Sequence, residues 1–133
     1  MQDSIFTKII KGEIPCYKIY EDDLTLAFLD INPAHPGHTL VIPKKQVEFV
    51  WDLPSLEYEA LMRTVQKVAR RLKQVTGRHV GELVVGIDVP HAHVHLIPFD
   101  TSADLEKAFH KGSAPPSQEL EAMARNLVIG TEA

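Results

Sequence analysis

The sequence is short of cysteine, with Cys16 as its only one. A lone thiol cannot close an internal disulfide, and with no second cysteine a structural zinc site is not expected. The usage fits a reducing compartment, the cytoplasm. No run approaches the roughly 18 consecutive apolar residues that a membrane span requires, so no membrane partner is expected. The opening Met1-Gln2-Asp3-Ser4-Ile5-Phe6 lacks a basic start followed by an apolar stretch, and no secretory signal is expected from it. Positive charge is not in excess either. Net charge is −4, and the densest basic cluster, Lys67, Arg70, Arg71 and Lys73, falls on a predicted helix near its C-terminus, where the dipole favours cations. That pattern describes a solvated helix face rather than a nucleic-acid surface. Internal repeats, low-complexity tracts and interdomain linkers are missing too. What remains, 133 residues of which 44% are hydrophobic and 24% charged, is the make-up of one compact domain over residues 1–133.

Apolar spacing in Ile5-Phe6-Thr7-Lys8-Ile9-Ile10 predicts a short helix stopped by Gly12. Tyr17-Lys18-Ile19-Tyr20-Glu21 alternates as a strand, Asp22-Asp23 reads as a turn, and residues 24–30 return as a second strand, completing a hairpin. Residues 32–37 hold two prolines and a glycine and form a loop. Thr39-Leu40-Val41-Ile42 is a third strand, closed by Pro43. Leu61, Val65, Val68, Leu72 and Val75 recur at steps of three and four, which predicts one long helix with an apolar stripe. Ser55 is its expected N-cap, Glu57 and Glu59 suit its first turn, and Gly77 stops it. Two strands are predicted at residues 82–87 and 93–99. Gly112, Pro115 and Pro116 mark a loop before a tail helix at 118–128. Helix, three strands, long helix and two strands indicate an α+β fold on a largely antiparallel sheet.

Three of the seven histidines alternate in His91-Ala92-His93-Val94-His95. Strand side chains alternate faces, so these three project from one side, neighbours about 6.5–7 Å apart, with Ala92, Val94 and Leu96 turned to the core. Imidazole is a nucleophile near neutral pH, a proton carrier and a metal ligand. One histidine attacking phosphorus, flanked by two that hydrogen-bond its oxygens, makes a workable phosphotransfer site. A three-histidine metal site is the rival chemistry.

These residues sit among further motifs. Asp3-Ser4-Ile5-Phe6, Lys8-Ile9-Ile10-Lys11-Gly12-Glu13-Ile14-Pro15, Tyr20-Glu21-Asp22-Asp23, Ala27-Phe28-Leu29-Asp30-Ile31-Asn32-Pro33 and Pro36-Gly37-His38-Thr39-Leu40-Val41-Ile42-Pro43-Lys44-Lys45 precede the histidine run. In that order, through Phe99, the sequence resembles the histidine-triad (HIT) family. The resemblance implies a HIT-like fold: a five-stranded antiparallel sheet, one long helix packed on it, a short N-terminal helix and a C-terminal helical tail. It implies a nucleotide hydrolase or transferase without cofactor or metal, acting at the α-phosphorus of a purine nucleoside phosphoramidate or related nucleotide through a covalent nucleotidyl-histidine. The substrate would be an adenosine or guanosine monophosphate derivative, and the assembly a homodimer. His93 takes the nucleophile's place, with His91 and His95 as phosphate-side partners. Asp30 falls on the ribose-binding acid, and Ile5, Phe6, Ile9, Phe28, Leu29 and Ile31 on the base and ribose pocket. From its chemistry alone, Asp30 could equally cap the turn into Asn32-Pro33.

Two departures from the family pattern bear on function. Most relatives carry an asparagine and then a glycine-rich loop, with glutamine or serine, that grips phosphate before the triad. Here Val84-Val85-Gly86-Ile87-Asp88-Val89-Pro90 runs straight into His91, and the phosphate side is offered Gly86 and Asp88, an aspartate that repels a phosphate unless protonated, paired or turned away. A histidine common after the lysine pair is Gln46. A nucleotide-binding regulatory module with little catalysis, or a metal site using Asp88 as fourth ligand, are the alternative readings.

Overall fold

A computed structural model describes residues 2–107 and 114–130 of the chain, so Gly112 of the expected tail loop lies outside the described residues. Helix α1 (Ile5–Ile10) is capped by Ser4, whose hydroxyl accepts from the Thr7 N–H at 3.0 Å. Its C-terminus closes as the glycine predicts. Gly12 stands at φ 80°, its N–H donates to the Ile9 carbonyl, and the Glu13 N–H to that of Lys8.

Strands β1 (Lys18–Glu21) and β2 (Thr25–Leu29) form the expected hairpin. The turn is held by Asp22, whose Oδ1 accepts from the Leu24 and Thr25 N–H groups at 2.9 and 2.8 Å. Strand β3 (Thr39–Pro43) and helix α2 (Ser55–Thr76) follow, then β4 (Val80–Leu83), β5 (Val94–Pro98), α3 (Ser102–Lys107) and α4 (Ser117–Leu127). The strands make one antiparallel sheet in the order β1-β2-β3-β5-β4. The fold is α+β on a five-stranded antiparallel sheet. Among the described residues no helix is long and apolar enough to cross a membrane.

Helix α2 lays Leu61, Val65, Val68 and Leu72 on one face of the sheet, against Ile19, Ala27, Leu29, Val41, Val94 and Leu96, and Leu120 and Leu127 of α4 join the same core. A fully buried aliphatic side chain contributes about 1.5–3 kcal/mol, against about 1 kcal/mol for a helix cap. Packing therefore holds α2, and it tolerates a start without a side-chain cap. Ser55 is its first helical residue rather than the expected N-cap; Pro54 precedes it with no capping hydrogen bond. Gly77 ends the helix as expected, at φ 70°. Val75, expected to continue the stripe, is 36% exposed next to the helix end. The opposite face of the sheet buries Phe6, Leu26, Phe28, Leu40 and Ile42 under α1. With helices on both sides, every residue of β2 and β3 is buried, which is why these strands read as continuous apolar runs.

A strand boundary is corrected as well. The strand predicted at 82–87 is shifted toward the N-terminus: β4 ends at Leu83, whose partner is His95. Beyond it Val84, Val85 and Ile87 are exposed and Gly86 turns the chain at φ 69°. The β-branched run mimics a strand, but β5 starts at Val94, so in register Val85 and Ile87 have no strand residue opposite them. The result is a loop over residues 84–90 that leads into the histidines.

Candidate active site

The histidine run enters β5 from this loop. The Ala92 N–H donates to the Val47 carbonyl at 2.7 Å, and Ala92, Val94 and Leu96 are 1%, 2% and 0% exposed in the core under α2. Alternation then turns all three histidine rings to the other side of the sheet, toward α1. The Phe6 ring meets His91 and His93 edge-on at centroid distances of 5.8 and 5.1 Å, and His93 meets His95 at 4.9 Å.

The three rings differ in what binds their nitrogens. A backbone carbonyl can only accept, so His93, whose Nδ1 lies 2.7 Å from the His91 carbonyl, must carry its proton there. In the neutral ring Nε2 then holds the lone pair. Burial pushes the His93 imidazole below its usual value, opposed by that hydrogen bond and by the negative charges of Asp30 and Asp88. His91 is fully buried. Its Nε2–H donates to the Pro43 carbonyl at 2.8 Å, leaving Nδ1 to accept from the Ser4 hydroxyl at 2.8 Å. Gln46 secures the same corner, its Oε1 accepting from the Ser4 N–H at 2.8 Å and from the Thr7 hydroxyl at 2.6 Å. His91 thus departs from a phosphate-side placement, with both ring nitrogens bound by the protein.

His95 is polarised by a residue absent from the predicted set. The Ala34 N–H donates to His38 Nδ1 at 3.0 Å, so the His38 proton sits on Nε2 and points to His95 Nδ1, also 3.0 Å away. A neutral His95 therefore carries its own proton on Nε2. Burial holds His38 below the ordinary imidazole value, against the opposing charge of Asp30, whose Oδ2 lies 3.7 Å from His38 Nε2. The Asp30 Oδ1 accepts from the Asn32 N–H at 2.8 Å, so Asp30 does cap the turn into Asn32-Pro33.

In front of His93 and His95 opens a cavity of about 280 Å³, at the small end of ligand sites. Its wall includes all eight residues expected to bind nucleotide: Ile5, Phe6 and Ile9 from α1, Phe28, Leu29, Asp30 and Ile31 at the end of β2, and Asp88 from the 84–90 loop. Phe6, Phe28 and Leu29 are core residues at 6%, 4% and 2% exposure, whereas Ile5 and Ile31 are 50% and 55% exposed. An aliphatic pair at the rim of a cavity suits a planar apolar ligand. Cys16, which no motif marked, also lines it. A larger hollow of about 430 Å³ lies across Asp30 and His38 under α4, but neither His93 nor His95 reaches it.

The alternative of a metal held by all three triad histidines loses one of its ligands, since His91 has no ring nitrogen to spare. Among the described residues the set that could hold an ion is Asp30, His38 and His95, with ligand atoms within 4.8 Å of one another. The hydrogen bond from His38 to His95 already accounts for their closeness.

Three buried imidazoles carry a stability consequence. His38, His91 and His93 are all held below the ordinary value of about 6.5, first by burial. Below pH 6.5 the unfolded chain takes up protons that the folded chain refuses, so stability falls with pH from about 6.5 down to the folded values. The slope reaches at most about 1.4 kcal/mol per pH unit for each histidine. Urea midpoints should be level above pH 7 and drop steadily toward pH 5.5; a level profile throughout would contradict the buried neutral state.

The HIT domain family matches residues 11–102. The purine nucleoside phosphoramidase of Escherichia coli is 36% identical over 108 residues, 72% of this chain and 87% of the relative. The Arabidopsis thaliana adenylylsulfatase HINT3 is 37% identical over 102 residues, 72% of this chain and 52% of the relative, so the match spans about half of that protein. A HIT-like protein from Bartonella henselae, crystallised with an unknown ligand, superposes with a TM-score of 0.83 at 32% identity, covering 94% of this chain and 93% of the other. With its alternating histidines over a small apolar cavity and these matches across most of its length, the chain belongs to the HIT family.

Proposed function

We propose that this protein hydrolyses purine nucleoside phosphoramidates, adenosine or guanosine monophosphate derivatives, at the α-phosphorus with His93 as nucleophile. The observation that carries the reading is the His93 Nδ1–H bound to the His91 carbonyl at 2.7 Å. It presents a neutral imidazole to the cavity with its lone pair on Nε2, and burial keeps it neutral near pH 7. The Nε2 lone pair forms a bond to phosphorus as the phosphorus–nitrogen bond breaks. The leaving nitrogen takes its proton from solvent, the His95 Nε2–H donates a hydrogen bond to a phosphoryl oxygen, and the positive charge arising on the phosphorylated ring is shared with the His91 carbonyl through Nδ1–H. Water then attacks the nucleotidyl-histidine, releasing a proton to solvent and freeing Nε2. His91 serves as a positioning residue through its backbone oxygen, and His38 polarises His95. Names of relatives support this chemistry: one is a phosphoramidase and another an adenylylsulfatase.

An adenosine 5′-phosphoramidate in single turnover, quenched in alkali, should yield protein heavier by one nucleotidyl group, on His93, before AMP accumulates. AMP released with no adduct at any time would remove the covalent step. Tight binding without turnover would favour a regulatory binding module.

The same reading makes the protein a homodimer joined through α2 and β4. In support, β4 is an edge strand, and Leu56 and Tyr58 on the first turn of α2 are 61% and 43% exposed. Two-fold assemblies are the commonest among soluble oligomers. Light scattering at micromolar concentration should return twice the chain mass; a monomer would count against it.

A further inference from the structure

A cavity built for a phosphate derivative ordinarily offers it a cation, and this one has none among the described residues. Neither lysine nor arginine lines it; its acidic side chains are Asp30 and Asp88. The two carboxylates stand differently. Asp30 is tied back to the Asn32 N–H and sits beside His38. Asp88 lies on the 84–90 loop, exposed, with no hydrogen bond or ion pair among the described residues. That loop has no other charged side chain, and the charge of Asp88 acts on His93.

In-line displacement sets where the leaving group goes. With the nucleoside among Ile5, Phe6, Ile9 and Phe28, and phosphorus in front of the buried His93, the departing group stands opposite Nε2. It therefore points out of the sheet toward the mouth, which the 84–90 loop lines. A fixed negative charge there disfavours a second anion on the leaving group and favours a cation.

We infer that Asp88 sets leaving-group choice, selecting nucleoside phosphoramidates whose amine bears a further positive charge, as a diamine or a lysine-like side chain does, over anionic leaving groups. The inference rests on the hydrolase reading above and leaves its bond changes as written. The nucleophile is His93, the phosphorus–nitrogen bond breaks, the amine takes a proton from solvent, and Asp88 attracts only the distant ammonium. Because Asp88 is exposed, water screens it. A unit charge about 6 Å away in a largely aqueous setting shifts a rate about 3- to 10-fold. The effect should shrink as salt shortens the Debye length toward about 3 Å at 1 M.

The test is a matched series of adenosine 5′-phosphoramidates whose alkylamine chains, equal in length, end in ammonium, methyl or carboxylate. Wild type should turn over the ammonium substrate with a kcat/KM about tenfold above the carboxylate one at low salt, and within about twofold at 1 M salt. Asp88→Asn should level the series at low salt, and Asp88→Lys should invert it. A thermal melt checks that both variants remain folded. If all three substrates are hydrolysed with the same order in wild type and in both variants, the inference falls while the hydrolase reading stands. If wild type hydrolyses none of them, that reading falls and takes the inference with it.

Discussion

His93→Ala lowers turnover of an adenosine phosphoramidate by at least about 10⁴-fold, as removal of a covalent nucleophile does, while AMP still binds. The apolar wall of the cavity and Asp30 lie outside the change, so calorimetric affinity for AMP should stay within a few-fold. The fold is not untouched. His93 is 6% exposed and gives up an edge contact with Phe6 and a hydrogen bond to the His91 carbonyl, together about 1–3 kcal/mol. The melting temperature falls by several degrees, and the assay belongs well below it. His95→Ala behaves differently. It removes a positioned hydrogen-bond donor and slows the reaction by about 10²–10³. His91→Ala is chiefly a stability mutant, because it removes the ring that pairs with the buried Pro43 carbonyl and the Ser4 hydroxyl. Full activity in His93→Ala would end the covalent reading.

Asp30→Asn lowers affinity for AMP by about 1.5–3 kcal/mol, the difference between a charged and a neutral acceptor for the ribose hydroxyls. The side chain has two oxygens with separate employment: Oδ1 caps the Asn32 N–H, and Oδ2 lies toward His38. Asparagine retains an Oδ1 acceptor for the cap, so the melting temperature should barely move. Asp30→Ala loses both oxygens and should cost about 1 kcal/mol of stability in addition to the affinity. Titration calorimetry and thermal melts on the two variants separate ribose binding from capping. Affinity unchanged in Asp30→Asn, with stability lost in Asp30→Ala, would leave Asp30 a turn residue alone.

Much of the scaffold was legible because its causes are local. Gly12 and Gly77 stop helices through their own backbone freedom, Asp22 closes a turn with its own side chain, and the α2 stripe follows from the helical period. Where a local pattern misled, tertiary pairing had overridden it. Val85 and Ile87 have strand propensity, yet β5 begins at Val94, so in register no strand residue stands opposite them.

The shared side of His91, His93 and His95 was determined by the sequence alone, since alternation along an extended chain is fixed by covalent geometry. The division of labour among them was decided by the tertiary structure. Which ring nitrogen carries the proton depends on partners that only folding brings near. Ser4 is 87 residues from His91, Pro43 is 48 from it, and His38 is 57 from His95. An imidazole has two nearly equivalent tautomers in water, and a single buried carbonyl or N–H is enough to choose between them.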